Sequence, residues 1–325
     1  MKTNSIFKLV PLAICFLTFS CNDDDQVYYP SPQDNSISDV ASRNDDFSIL
    51  VDALVRADLV TTLDTGGPFT VFAPTNTAFQ TFLSANGYAD IDDVPLAALK
   101  EVLLNHVVSG EVRSSQLVTG YVKTLAKGSA SSNTLSMYIN TASGVVINGG
   151  AANGGATVTT ADIAADNGVI HVVDRVIGLP TVVNHAIANP DFSILVQALT
   201  RGDQPDFVGV LSGDAASPFT VFAPTNTAFG NLLTELSLSG LADVPQATLE
   251  NTLKYHVVTG ANVLAADLSE GLSVATFQGG NFTVMLSGGA KITDANGRVS
   301  NIVATDVQGS NGVVHVVDKV LLPSL

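Results

Sequence analysis

Pro68-Phe-Thr-Val-Phe-Ala-Pro-Thr-Asn-Thr-Ala-Phe79 recurs without a single change as Pro218 to Phe229. Other blocks repeat around it. Phe47-Ser-Ile-Leu-Val-Asp-Ala-Leu54 returns as Phe192 to Leu199, His106-Val-Val-Ser-Gly110 as His256-Val-Val-Thr-Gly260, and Gly168 to Val176 as Gly312 to Val320. The offsets are 145, 150, 150 and 144 residues, so the length changes fall between blocks, where loops tolerate them. A period this long is the size of a globular domain and far exceeds the roughly 20–50 residues of a solenoid unit. The chain is one domain written twice, with the boundary near Pro180.

Within a copy the pattern predicts helices followed by strands. Phe47, Leu50, Val51 and Leu54 lie at i, i+3, i+4 and i+7, the stripe of an amphipathic helix. Phe69 to Phe72 reads as a strand stopped at Ala73-Pro74, after which Thr75 or Asn76 caps a helix carrying Ala78 and Phe79. Asp92 or Asp93 is expected to cap a further helix with Pro95 in its first turn and Leu99, Leu103 and His106 along one face, closed by Gly110. Leu249, Leu253, His256 and Gly260 repeat that arrangement. The rest of each copy reads as β: Val145–Ile147, Thr157–Thr159, Val169–Val176, and a hairpin turning at Asn296-Gly297. Helices segregated from an antiparallel sheet make an α+β domain.

The repeated blocks resemble a known family. Phe69-Thr-Val-Phe-Ala-Pro-Thr-Asn, the mid-domain His-Val-Val and Asn167-Gly-Val-Ile-His-Val-Val-Asp174 are similar to the two hallmark segments and the central motif of the fasciclin domain. They occur in order, twice. The resemblance implies two tandem domains, residues 37–180 and 181–325, each a wedge of β-strands flanked by several helices. It also implies a role in adhesion through protein or glycan contacts, with no general enzyme activity and no cofactor.

Composition is consistent with packed domains. Among 325 residues, 46% are hydrophobic and only 14% charged, against a usual charged share of about a quarter, which excludes global disorder. Lys and Arg number 14 against 30 Asp and Glu, a net charge of −16, so a nucleic-acid partner is not expected. Asp supplies 25 of the 30 acids, which fits a loop-rich chain with many capped helix ends.

The N-terminus reads as a targeting segment. Lys2 and Lys8 precede the apolar run Leu9 to Ser20, whose 12 residues are too few to cross about 30 Å of hydrocarbon, so residues 1–20 are a signal peptide. Leu17-Thr-Phe-Ser-Cys21 resembles a bacterial lipoprotein cleavage box, making Cys21 the expected lipidation site and the only cysteine of the mature chain. Each buried CH₂ contributes about 0.8 kcal/mol, so several acyl chains anchor stably. Residues 21–36, polar and acidic, are then a tether about 20 Å long. The acidic triplet Asp23–Asp25 resembles the surface-export signal of Bacteroidetes lipoproteins. The expectation is an outer-membrane protein, lipid-anchored and displayed outward, with a periplasmic-facing or secreted protein as the alternative.

Signatures of catalysis are missing: the sequence has no Gly-x-Gly spacing, no Gly-x-Ser-x-Gly and no His-Glu-x-x-His. His106 with His171, and His256 with His315, form matched pairs, but each pair lacks the third ligand a zinc site needs. They are read as buried structural histidines. Asp162 with Asp166 and Asn167, or Asp294 with Asn296, supply oxygens but not the spaced acidic loop of a Ca²⁺ site, so turn and cap roles are expected. For adhesion, the family resemblance points to an Asp-Ile pair before the second hallmark segment and to a Tyr-His pair. Asp162-Ile163 matches the first, with Asp306-Val307 in copy two, although packing of Ile163 and Val307 into the core is the preferred reading of those two; Tyr255-His256 matches the second, where copy one has Asn105-His106. The absence of Trp argues against strong glycan stacking. The expected function is adhesion to an extracellular or neighbouring-cell protein or glycan. An accessory subunit of a nutrient-handling envelope complex is the alternative, and a hydrolase a more distant one.

Overall fold

The computed structural model describes residues 35–324, so the signal, lipidation and tether expectations for residues 1–34 lie outside the described residues. In the first copy the helices are α1 (Ile37–Ser42), α2 (Ser48–Arg56), α3 (Val60–Thr65), α4 (Asn76–Asn86) and α5 (Leu96–Leu104). Its strands are β1 (Phe69–Pro74), β2 (Val107–Ser109), β3 (Gly120–Lys127), β4 (Thr134–Asn140), β5 (Val146–Ile147), β6 (Ala156–Ala165) and β7 (Gly168–Val173). The second copy has α6 (Val182–Ala188), α7 (Ser193–Leu199), α8 (Phe207–Ser212), α9 (Asn226–Glu235) and α10 (Gln246–Tyr255). Its strands are β8 (Phe219–Pro224), β9 (Val257–Thr259), β10 (Ser273–Ala275), β11 (Asn281–Met285), β12 (Lys291–Thr293), β13 (Val299–Gly309) and β14 (Gly312–Val317). Both copies are α+β.

Strand β1 decides the layering because its alternate side chains enter different cores. Val71 and Ala73 pack with Leu50, Leu54, Phe79, Leu99 and Leu103 of the helices. Phe72, from the other face, packs inside the barrel with Met137, Ile139, Ile147 and Val173. Pro74 ends the strand, and the Thr75 hydroxyl accepts from the Ala78 N–H to start α4. The seven strands of the first copy close into a barrel, whereas those of the second run β10-β11-β12-β13-β14-β8-β9 as one sheet. There, the Phe277 N–H donates to the Val257 carbonyl between β10 and β9.

Three expectations change. The sheets are mixed, since β1 runs parallel to β7 and β8 parallel to β14. Each parallel partner arrives at the end of the same copy, after the long crossover that parallel pairing needs, and residue alternation carries no direction. Pro95 is the N-cap of α5 and lies outside its first turn; Asp92 and Asp93 sit in a separate short 3₁₀ turn. The helix ends at Leu104, so His106 lies just beyond it, and Gly110 and Gly260 end strands β2 and β9 rather than helices. Pairing of Val107–Ser109 with Phe69–Val71 captures the segment that the apolar stripe alone would extend as helix.

Candidate functional site

The histidines are structural members of the core. His106 receives the Ile177 N–H at Nε2, 2.9 Å, which fixes its proton on Nδ1, and that proton is donated to the Val102 carbonyl at 2.7 Å. His256 repeats the pattern with the Leu321 N–H and the Thr252 carbonyl. Burial pushes both rings down to about 4. His171 accepts the Asp162 N–H at Nδ1 and donates from Nε2 to the Val112 carbonyl, and His315 does the same with Asp306 and Val263. Every ring nitrogen of these four residues is therefore occupied by backbone, and none is free to move a substrate proton. Among the described residues no group of three His, Cys, Asp or Glu side chains could hold a metal ion. An open apolar hollow of about 250 Å³ beside Phe72, Leu117, Val122 and Ile139 has no titratable side chain in its wall.

The acidic loops serve the backbone. Asp162 stands at φ 64° and Asp306 at φ 59°, each at a bulge in the last hairpin, a left-handed conformation that Asp and Asn tolerate best. The Asp162 carboxylate accepts from both the N–H and the hydroxyl of Ser114, which holds it below the ordinary carboxylate range. Asp306 accepts from the Ala265 N–H. Asp294 is 5% exposed and accepts from the N–H groups of Asn296, Arg298 and Leu322, so it closes the hairpin turn and fastens the C-terminal segment to it.

The adhesion residues separate by burial. Asp162 and Asp306 are half-exposed, while Ile163, also half-exposed, packs against the helical core of the first copy, as the packing reading expects. Val307 is 4% exposed and belongs to the core of the second copy. Tyr255 and His256 are 0% and 3% exposed, and the Tyr255 hydroxyl is spent on the Asn281 carbonyl and the Ala295 N–H. Those two side chains therefore face inward and present nothing to a partner. The reason is local: Tyr255 ends α10 on its inward side, edge-on to Phe282.

Two asparagines precede the glycine of the second hallmark segment: Asn167, expected in a turn or cap role, and Asn311, to which the sequence reading assigns no role. Asn167 accepts the Ile37 N–H and donates to the carbonyls of Leu63 and Gly66. Asn311 accepts the Val182 N–H and donates to the carbonyl of Leu211. Each ties the start of its copy to its last hairpin. Their repetition 144 residues apart was the available signal.

This fold and these motifs define a class. The fasciclin domain model matches residues 45–180 and again 190–323, and the chain belongs to the fasciclin family. It is 40% identical over 142 residues to Protein sll1483 of Synechocystis sp., an alignment covering 44% of this chain and 72% of that one. It is 30% identical over 266 residues to the transforming growth factor-beta-induced protein ig-h3 of Sus scrofa and 28% identical over 264 residues to human periostin. Each of these covers 79% of this chain, which spans only 35% and 28% of those longer relatives. A solved FAS1 domain pair from the insect cell adhesion molecule fasciclin I aligns over 88% of this chain and 95% of its own, at 20% identity and a TM-score of 0.49.

Proposed function

We propose that the chain is a lipid-anchored, outward-facing adhesion protein of the outer membrane that binds a protein or glycan on a neighbouring cell or matrix. The observation that carries this reading is the tandem fasciclin pair whose paired histidines are consumed by backbone hydrogen bonds, which leaves surface contact as its means of action. Cys21 is the anchor, and neither metal, cofactor nor nucleic acid takes part. The Asp162-Ile163 loop of the first copy, half-exposed beside Arg113 and Ser114, is the contact segment we favour. Asp306, with Val307 buried behind it, is the weaker counterpart.

The test compares intact cells with and without the gene for binding to immobilised matrix proteins and glycans, after protease shaving and after Cys21→Ser. Deletion is expected to abolish binding, shaving to remove the protein, and Cys21→Ser to release it from the membrane fraction. A protein that resists shaving on intact cells overturns outward display, and one that co-purifies with a nutrient transporter without any adhesion supports the accessory role instead. For the loop, the variant is Asp162→Asn, because Asn tolerates the left-handed backbone and keeps an acceptor for Ser114. Asp162→Ala is expected to lower Tm as well as binding, since Ala is strained at φ 64° and frees Ser114. Unchanged binding by a folded Asp162→Asn removes the carboxylate from the contact.

A further inference from the structure

The two copies meet along a polar seam. From the first copy, Lys123 donates from Nζ to the Asp306 carbonyl at 2.6 Å and to the Ser136 hydroxyl. That hydroxyl accepts the Gln308 N–H at 3.0 Å, and the Ala130 N–H donates to the Ser310 carbonyl at 3.0 Å. Gly128 lies so close to Ser310 that an added Cβ would meet its Cα at 2.5 Å. At the centre sits His185 of α6, 0% exposed, donating from Nε2 to the Gln308 carbonyl, with the Tyr121 ring edge-on at 5.6 Å. The Tyr121 hydroxyl donates to the carbonyl of His185. Among the described residues the Nδ1 atom of His185 is buried without any hydrogen-bond partner, unlike the ring nitrogens of the other four histidines.

The repeat shows that this chemistry belongs to the seam and not to the fold. Shifted by the repeat offsets, His185 corresponds to Val40 and Gln308 to Ala164, on the matching face of the first copy, where no preceding domain docks among the described residues. Both helices keep their capping boxes, Ser36 with Asp39 and Thr181 with Asn184, so the helix itself needs no histidine there.

We propose that His185 is a proton-operated release for the seam: uptake of a proton on Nδ1 undocks the two domains while each stays folded. Protonated, Nδ1 would carry a buried N–H with no acceptor, a cost that disappears once Tyr121 moves off and water enters. The groups facing the ring cannot offset it. Tyr121 and Lys123 come from β3; Tyr138 of β4 and Asp191 of the turn after α6 act on Tyr121, and Asp306 of β13 acts on Lys123, so no carboxylate hydrogen-bonds the ring and the Lys123 cation opposes a second charge. Burial holds the docked ring down at about 4, whereas an exposed imidazole titrates near 6.5. The neutral, docked form is therefore favoured fully above pH 6.5, and its advantage fades as pH falls from 6.5 to 4. Over that window the undocking constant rises about tenfold per pH unit.

The experiment is amide hydrogen exchange on the full chain at pH 6.5 and 4.5, read as protection factors. The reporters are the Gln308 and Ala130 amides, whose acceptors lie across the seam, each compared with the same amide in His185→Gln, while the Phe72 amide, bonded to the His106 carbonyl, reports the separate acid loss of the first copy. Titration of His185 is expected to lower protection at Gln308 and Ala130 about 40-fold between the two pH values. In His185→Gln, which can keep a donor toward Gln308, and in His185→Leu, that fall is expected to vanish. A parent whose seam amides lose no more protection than the same amides of His185→Gln overturns the proposal. If His185→Leu does not dock at all, the His185→Gln profile decides alone.

Discussion

His106→Ala is expected to lower the stability of the first copy by about 4 kcal/mol, and His256→Ala to do the same in the second. Each imidazole joins two backbone groups, the Val102 carbonyl with the Ile177 N–H, and the Thr252 carbonyl with the Leu321 N–H. Truncation leaves a buried donor and a buried acceptor unpaired, at about 1–3 kcal/mol for each, and opens a cavity beside the helical core. The same geometry sets an acid limit. Both rings must be neutral, because Nε2 is an acceptor, and both are held at about 4 against an unfolded value of 6.5. Between those values the unfolded chain binds a proton that the folded chain refuses, so stability is complete above pH 6.5 and declines as pH falls toward 4. Each histidine contributes roughly 3 kcal/mol to that decline. Urea denaturation at pH 7.5, 5.5 and 4.5 measures it, and His106→Ala should be both less stable at pH 7.5 and less sensitive to acid. A variant as stable as the parent would mean that the two backbone groups find other partners.

Gly168→Ala is expected to be more disruptive, costing at least 3 kcal/mol and reducing soluble yield sharply. Gly168 opens β7 opposite Phe69 at φ 152°, and an added Cβ would stand 2.0 Å from the Phe69 carbonyl oxygen. Backbone, not a flexible side chain, is in the way, so relief requires pulling β7 off β1 at the parallel pair that fastens the barrel. Gly312, opposite Phe219, has the same contact at 2.3 Å in the second copy. Thermal melts of the two variants would show whether one copy can unfold while the other stays, and a Gly168→Ala protein with the parental Tm would refute the steric account.

Much of this was legible in the residues. The exact recurrence of Pro68–Phe79 declares the duplication, the stripe from Leu50 to Leu54 declares a helix packed on a sheet, and the matched histidines stand in apolar company that already suits a core role. Local chemistry suffices for such features because a helix face, a cap or a strand alternation is set by residues within a few positions of one another. The exposure of the adhesion residues was not legible. Asp162-Ile163 and Tyr255-His256 look alike as short polar-apolar pairs, yet the first lies on a bulged hairpin and the second is swallowed where α10 meets Phe282. Burial depends on partners far along the chain.

Sequence alone thus determined that this protein is a tandem of α+β fasciclin domains with strand, turn and helix segments close to those observed. Tertiary structure alone decided that β1 lies parallel to β7, that the first copy closes into a barrel, and that Lys123 and His185 face one another's domains across a seam. The division follows from range. Periodicity and caps are properties of neighbouring residues, while strand direction, closure and docking are settled by contacts between segments tens to hundreds of residues apart, whose pairing no local pattern encodes.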